Sequence, residues 1–132
     1  KEDTKLRCRG IRGAITVPEN NKASIMAATK ELLKEMVRAN DIRMSDIAAI
    51  LFTTTSDVNA EFPAAATREL DWPHHLALLC GHEMNVPNSL PHCLRILMLV
   101  NTKKTAEEVT HIYLGEAQKL KEGKPVTLRS KT

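Results

Sequence analysis

Aromatic side chains are scarce in this sequence of 132 residues, of which they make up only 3%. Proteins that bind single-stranded nucleic acid commonly stack bases on rows of exposed aromatic rings. The net charge of +3, from 19 basic and 16 acidic residues, is also too small to indicate a polyanion as partner. The sequence therefore predicts no binding of nucleic acid.

Long hydrophobic runs are missing as well. No apolar segment approaches the ~20 residues that span a bilayer, and the N-terminus has no signal-peptide-like stretch. The three cysteines, Cys8, Cys80 and Cys93, are odd in number and form no C-x-x-C pair, which argues against a disulfide framework. We expect a cytoplasmic protein with reduced thiols and no membrane contact.

The sequence motifs of several common catalytic sites are absent. There is no G-x-S-x-G, no phosphate-binding loop and no G-x-G-x-x-G, although the composition still allows a Ser, His and carboxylate triad. Five histidines and the cysteines have spacings that match no standard zinc pattern, so the sequence predicts neither a metal nor a cofactor. The histidines are His74, His75, His82, His92 and His111.

What remains is the composition of an ordinary globular protein, with 42% hydrophobic and 27% charged residues. A chain of this length predicts a single domain, residues 1–132, with one modest core. Basic residues are concentrated at both ends. We expect residues 1–8 and 123–132 to be flexible.

Hydrophobic periodicity predicts alternating strands and helices. Residues 21–39 form an amphipathic helix with Asn20 or Asn21 as its N-cap, and Pro63 opens a short helix over residues 64–70. The T-x-x-E capping box at Thr105 and Glu108 predicts another short helix, followed by a last strand and a polar tail. This order indicates an α/β or α+β sheet with helices packed on one face. The predicted strands are residues 7–17, 47–54, 76–80, 93–100 and 111–114.

Arg95 is the most informative single residue, because it interrupts an otherwise apolar strand. A buried, unpaired cation is costly, so this side chain must reach water or hold an anion. It is either an arginine on an edge strand that reaches solvent or pairs with a carboxylate, or a ligand-binding cation.

Three further residues are candidates. Arg12 lies between two glycines, which suits either a structural turn or bulge or the close approach of an anion. Glu83 follows the apolar strand that Cys80 ends, and α/β proteins often bind ligands at such positions; a solvated glutamate and a small buried cysteine are the alternatives. The residues alone indicate only that two arginines and a glutamate could converge on a small polyanion.

Five segments in order resemble the small trimeric class of chorismate mutase: R-G-I-R-G-A-I-T-V near the start, F-P-A-A-A-x-R-E-L at 62–70, C-x-x-E-M at 80–84, C-L-R at 93–95 and H-I-Y-L at 111–114. The resemblance spans roughly residues 9–122. It implies a mixed sheet in a pseudo-barrel homotrimer, with active sites between neighbouring subunits. The implied reaction is the cofactor-free rearrangement of chorismate to prephenate in phenylalanine and tyrosine biosynthesis.

The resemblance also implies the site residues. Arg12, Glu83, Arg95 and Tyr113 fall on the principal polar positions, with Cys80 beside them. One departure is Ala65, which stands where the family pattern has a lysine. The implied wall, entrance and substrate-contacting residues are Phe62, Ala64, Arg68, Leu78, Leu79, Gly81 and His82.

These residue types suit the implied chemistry, because the rearrangement needs no nucleophile or proton shuttle. Arg95 would stabilise charge that grows on the breaking ether oxygen, Arg12 and Tyr113 would hold a carboxylate, and Glu83 would accept a hydrogen bond from the ring hydroxyl. Two alternatives stay open: a noncatalytic sensor of an aromatic-pathway metabolite, and a trimeric deaminase of reactive imines.

Overall fold

The computed structural model describes residues 5–121, which form one five-stranded sheet with two α-helices and two short 3₁₀ helices. The strands are β1 (Arg7–Thr16), β2 (Ile47–Thr54), β3 (Leu78–His82), β4 (Cys93–Thr102) and β5 (Ile112–Leu114). The α-helices are α1 (Lys22–Asn40) and α2 (Ala65–Glu69), and the 3₁₀ helices are Met44–Asp46 and Gly115–Leu120.

The sheet is mixed, with the strand order β3-β2-β4-β1-β5. The central strand β4 pairs antiparallel with β1 and β2, while the outer pairs β2 with β3 and β1 with β5 are parallel. A bulge at Ala48 shifts the register between β2 and β4. This arrangement confirms the expected α+β class.

Helix α1 covers one face of the sheet and confirms the predicted amphipathic helix. Its N-cap is Asn21, whose side chain accepts a hydrogen bond from the Ser24 amide at 2.8 Å. Gly13 lies under the helix, where a Cβ atom would stand 2.4 Å from the Met36 sulfur. Only glycine allows α1 to approach β1 this closely.

The two faces of the sheet differ in what covers them. Alternate residues such as Ile50, Phe52, Leu94 and Met98 are fully buried on the helix side. The opposite face, here called the outer face, carries the alternate residues of each strand. It presents Ala49, Leu51 and Thr53 on β2, Leu79 and Gly81 on β3, Arg95, Leu97 and Leu99 on β4, Gly10, Arg12 and Ala14 on β1, and Tyr113 on β5.

Three segments differ from the sequence-based expectation. Strand β3 begins at Leu78 rather than Leu76, because the chain turns at Pro73 and the ladder starts where Ile50 donates to the Ala77 carbonyl. The predicted helix after Thr105 is only a turn. Its Glu108 carboxylate accepts the Thr105 amide at 2.8 Å, but the turn is not extended by a hydrophobic face.

Residues 115–120 were expected to belong to a polar tail, yet they form a 3₁₀ helix. Gly115 turns the chain at φ 59°, and Ala117 is buried with Ala14 and Cys93 at one end of the outer face. The helices therefore do not all share one face. Strand β1 begins at Arg7, inside the terminus expected to be flexible, and residues 123–132 lie outside the described residues.

Candidate active site

Arg95 lies on the central strand β4, which rules out the edge-strand interpretation. Its side chain is on the outer face and 44% exposed, and its Nε atom lies 3.6 Å from Oε2 of Glu83. The cation is therefore neither buried nor left without a counter-charge. It remains open to a ligand that approaches the outer face.

Glu83 follows directly on β3 and reaches across β2 toward Arg95. Its amide donates to the Thr54 carbonyl at 2.8 Å, which extends the parallel pairing by one residue. Its Oε2 atom accepts a hydrogen bond from the Thr53 hydroxyl. In the part of the chain that the structure describes, Oε1 accepts no hydrogen bond. This second oxygen is thus available to a donor from a ligand.

Arg95 belongs to a row of side chains that runs across the sheet. On one side Thr53 pairs with Arg95 and with Gly81, and a Cβ at Gly81 would meet no atom within 4 Å. On the other side Ala14 lies between Arg95 and Tyr113. Since adjacent strands are about 4.8 Å apart, Arg95 and Tyr113 are separated by roughly 10 Å at the backbone.

Arg12 lies on the same face as this row. It pairs with Leu97 and is therefore the diagonal neighbour of Arg95, at a separation of roughly 7–8 Å. Its position inside β1 excludes the turn that the sequence left open. Two arginines at this spacing, with Tyr113 beyond, suit an anion that carries more than one charged group.

His111 directly precedes β5 and contacts the backbone of β1 at Arg12. Its Nδ1 atom accepts a hydrogen bond from the Arg12 amide at 2.9 Å. Desolvation lowers the pKa of His111, and the nearby Arg12 guanidinium lowers it further. The ring is therefore held in the neutral form that can accept this bond, which fastens β5 and Tyr113 beside β1.

A cavity of about 360 Å³ lies at the edge strand β3. Phe62, Cys80, Gly81 and His82 line it, together with Thr54 and residues 58–61. The Cys80 side chain packs against the core on the helix side, near the Ala64 amide. The His82 ring lies within hydrogen-bond distance of Thr54.

The structure brings some predicted residues together and separates others. Leu78 packs against the core, whereas Leu79 is 63% exposed on the outer face. Arg68 is exposed on α2, on the helix side. The polar group of Arg12, Glu83, Arg95 and Tyr113 thus lies on one face of the sheet, and the group around Cys80 lies on the other. The second group comprises Phe62, Ala64, Arg68, Leu78, Cys80 and His82.

Neither cysteine near the site has the properties of a nucleophile. Burial raises the pKa of Cys80, and the Ala64 amide offsets this only in part. Burial also raises the pKa of Cys93, against the opposing effect of Arg95. Both side chains are thiols at neutral pH and lack the thiolate that nucleophilic catalysis needs.

A compact polar network fixes the chain just before Arg95. The Asp57 carboxylate accepts the His92 amide at 3.0 and 3.2 Å and also accepts the Thr55 hydroxyl. That hydroxyl in turn accepts the Cys93 amide at 3.0 Å. His92 adopts a φ of 51°, which is unusual for histidine. The network sets where β4 begins, two residues before Arg95.

Sequence reasoning missed Thr53, Asp57 and the contact of His111. The only signal for Thr53 was the pair of threonines at the end of an apolar strand. His111 stood inside the H-I-Y-L segment but received no role. Asp57 gave no signal, because its partner His92 is 35 residues away.

No helix within residues 5–121 is long and apolar enough to cross a membrane. In the same part of the chain, no group of three or more His, Cys, Asp or Glu side chains is placed to hold a metal ion.

The fold and site together define a small mixed α+β protein with an arginine and glutamate site suited to an anionic molecule. The sequence matches the family model of chorismate mutase type I over residues 8–123. It is 46% identical to chorismate mutase AroH of Thermus thermophilus over 114 residues, 86% of this chain and 93% of that relative. The AroH chorismate mutase of Bacillus subtilis is 36% identical over 109 residues, 83% of this chain and 86% of the relative.

A solved structure agrees with these sequence matches. The chorismate mutase from Clostridium thermocellum superposes with a TM-score of 0.82 at 45% identity, covering 84% of this chain and 98% of that chain. The chain belongs to the type I chorismate mutase family.

Proposed function

We propose that this protein is an isomerase that converts chorismate to prephenate, for phenylalanine and tyrosine biosynthesis, without a cofactor. The observation that carries the proposal is the Arg95 and Glu83 pair on the outer face of a member of this family. A fixed cation beside a hydrogen-bond acceptor is what the rearrangement can use, since the reaction is unimolecular and needs no covalent catalysis.

In the proposed mechanism Arg95 acts on the transition state. The breaking ether bond leaves negative charge on its oxygen, and a guanidinium can donate to that oxygen and to a neighbouring carboxylate at once. The side chain is already positioned by the central strand, so little reorganisation is needed when the charge develops. Arg95 therefore lowers the barrier more than it strengthens substrate binding.

The other polar residues would hold the reactive conformer. The free Oε1 of Glu83 would accept the ring hydroxyl, while Arg12 and Tyr113 would bind a carboxylate. Cys80, Gly81, His82 and the segment that contains Phe62 would form the wall. The raised pKa of Cys80 supports a contact role rather than a nucleophilic one.

We also propose that the protein is a homotrimer of pseudo-barrel form with sites between subunits. The two groups of site residues lie on opposite faces of β3, so one chain by itself does not surround a ligand. Leu79 and Leu97 are 63% and 38% exposed on the outer face, an apolar surface that association would cover. In the trimer, the polar group of one subunit would face the Cys80 group of the next.

The proposed location is the cytoplasm, supported by the free thiols of Cys8, Cys80 and Cys93, which suit a reducing compartment.

The arginine and glutamate pair favours catalysis over a noncatalytic sensor, because a carboxylate sensor has no use for a cation opposite a hydroxyl acceptor.

The test of the proposed function is turnover. Purified protein should consume chorismate and release an equal amount of prephenate, well above the rate without protein. Saturable binding of chorismate without turnover would identify a sensor and contradict the proposal. Ammonia release from 2-aminoacrylate, with chorismate unchanged, would identify a deaminase instead.

A further inference from the structure

The Glu83 and Arg95 pair poses a problem for the mechanism. A carboxylate and a guanidinium that meet directly form two parallel hydrogen bonds and neutralise each other. Each group would then be unavailable to a ligand. In the structure the Nε to Oε2 separation of 3.6 Å exceeds that of a hydrogen bond. One further contact of the Glu83 carboxylate accounts for this separation.

Thr53 supplies that contact. It lies on β2, between the strand that leads into Glu83 and the strand that carries Arg95, and it pairs in register with both Gly81 and Arg95. Its hydroxyl donates to Oε2 of Glu83, the same oxygen that faces Arg95. Hydrogen bonds on both edges of β2 fix the Thr53 backbone, and the branched side chain restricts the rotation of the hydroxyl.

We infer that Thr53 is a positioning residue that keeps Glu83 from closing onto Arg95. This inference rests on the proposed function. By holding Oε2, Thr53 leaves Oε1 for the substrate hydroxyl and leaves the Arg95 guanidinium for the ether oxygen. Without the hydroxyl, the carboxylate would rotate into a full ion pair with Arg95, and the cation would be partly neutralised in the empty site.

The first experiment compares two substitutions that separate the hydroxyl of Thr53 from its methyl group. Thr53→Val replaces the hydroxyl by a methyl group and suits a strand, whereas Thr53→Ser keeps the hydroxyl and loses the methyl group. Because a hydrogen bond to a charged group is among the stronger ones, its loss in Thr53→Val should lower kcat at least about tenfold, while KM changes less than about threefold. Thr53→Ser should retain kcat within about threefold.

Thr102→Val is the matched control. Thr102 ends β4 far from the site, and its hydroxyl takes part in one hydrogen bond as well, as the acceptor of the Lys104 amide. This variant loses the same group from the same sheet, so its kcat should stay near that of the parent. If Thr53→Val does not fold by circular dichroism, Thr53→Ala serves in its place, because it also removes the hydroxyl.

A double-mutant cycle separates positioning from a general structural role. If Thr53 acts through Glu83, then adding Thr53→Val to Glu83→Ala should lower kcat by less than about twofold, because the residue to be positioned is already gone. Losses that multiply would show that Thr53 acts on the structure at large, and would overturn the inference.

The outcomes also separate the inference from the function beneath it. A parent protein without any turnover of chorismate would overturn both. An active parent whose Thr53→Val variant keeps its kcat within about threefold would overturn the role of Thr53 alone and leave the proposed function standing.

Discussion

At the scale of single residues, Arg95 occupies a position where most proteins place an apolar side chain, in the middle strand of a sheet. Its neighbours along β4, Leu94 and Ile96, are buried on the helix side, and the alternation of the strand turns Arg95 to the outer face. The strand thus supplies rigidity, while the face supplies access. Both are needed for a cation that acts on a developing charge.

Replacing Arg95 by alanine should reduce kcat at least ~10²-fold to 10³-fold, by analogy with the loss of one oxyanion donor. Substrate binding should weaken much less, because charge on the ether oxygen is larger in the transition state than in bound chorismate. Arg95→Lys should recover little, since an ammonium cannot span two oxygens. Steady-state kinetics on the three proteins gives the comparison.

The control for this substitution is the fold. Arg95 is 44% exposed, so its removal should leave the circular dichroism spectrum and the assembly state unchanged. An alanine variant that turns over chorismate within about threefold of the parent would make Arg95 a structural residue and contradict the mechanism.

At the scale of elements, the start of β4 depends on the carboxylate of Asp57. Partial burial raises the pKa of this group, but the hydrogen bonds from Thr55 and the His92 amide outweigh that effect and lower the pKa overall. The charged form is therefore favoured in the folded protein. It also holds His92 in its left-handed conformation, which costs energy for a residue with a side chain.

Asp57→Asn should lower the free energy of unfolding by about 1 kcal/mol at pH 7, because a charged acceptor becomes a neutral one. Since the folded pKa is below the unfolded value of about 4, the advantage of aspartate is complete above that value and disappears as the pH falls through the folded pKa. Urea unfolding of both proteins at pH 7 and at pH 3 measures the difference. A difference that is undiminished at pH 3 would exclude the carboxylate charge as its cause.

At the scale of the whole molecule, the proposed trimer would complete the site through the outer face. Leu79 and Leu97 lie beside Arg95 on this face. The residues around Cys80 lie on the opposite face of the edge strand β3. A neighbouring subunit that packs its own edge strand against the Arg95 side of the sheet would cover these leucines. It would also place its residues around Cys80 next to Arg95. Assembly and activity should therefore depend on the same surface.

We expect the parent to sediment at three times its chain mass of 14.7 kDa at micromolar concentration. Leu97→Glu places a charge on the apolar outer face, so it should shift sedimentation toward the monomer and reduce turnover together. Ala27→Glu, on the exposed side of α1, is the matched control and should change neither. A parent that sediments as a monomer yet is fully active would contradict the shared site.

The local elements follow from the sequence because their signals are local. The period of α1, its Asn21 cap and the apolar runs of β2 and β4 all act between residues a few positions apart, so the class of fold and most element boundaries were predictable. The order of the five motifs along the chain was also sufficient to indicate the family. The helix predicted after Thr105 was wrong. Only one of the two hydrogen bonds of a capping box forms there, and without a hydrophobic face to pack the chain makes only a single turn.

The tertiary structure alone decided which side chains meet. Strand order put β2 between β3 and β4, and thereby set Thr53 between Glu83 and Arg95, which lie 30 and 42 residues further along the chain. Because side chains alternate along β3, Leu79 lies on one face of the sheet and Cys80 on the other. The predicted site residues therefore divide into two groups. Contacts across strands depend on register and pleat rather than on sequence distance, and a single sequence records neither.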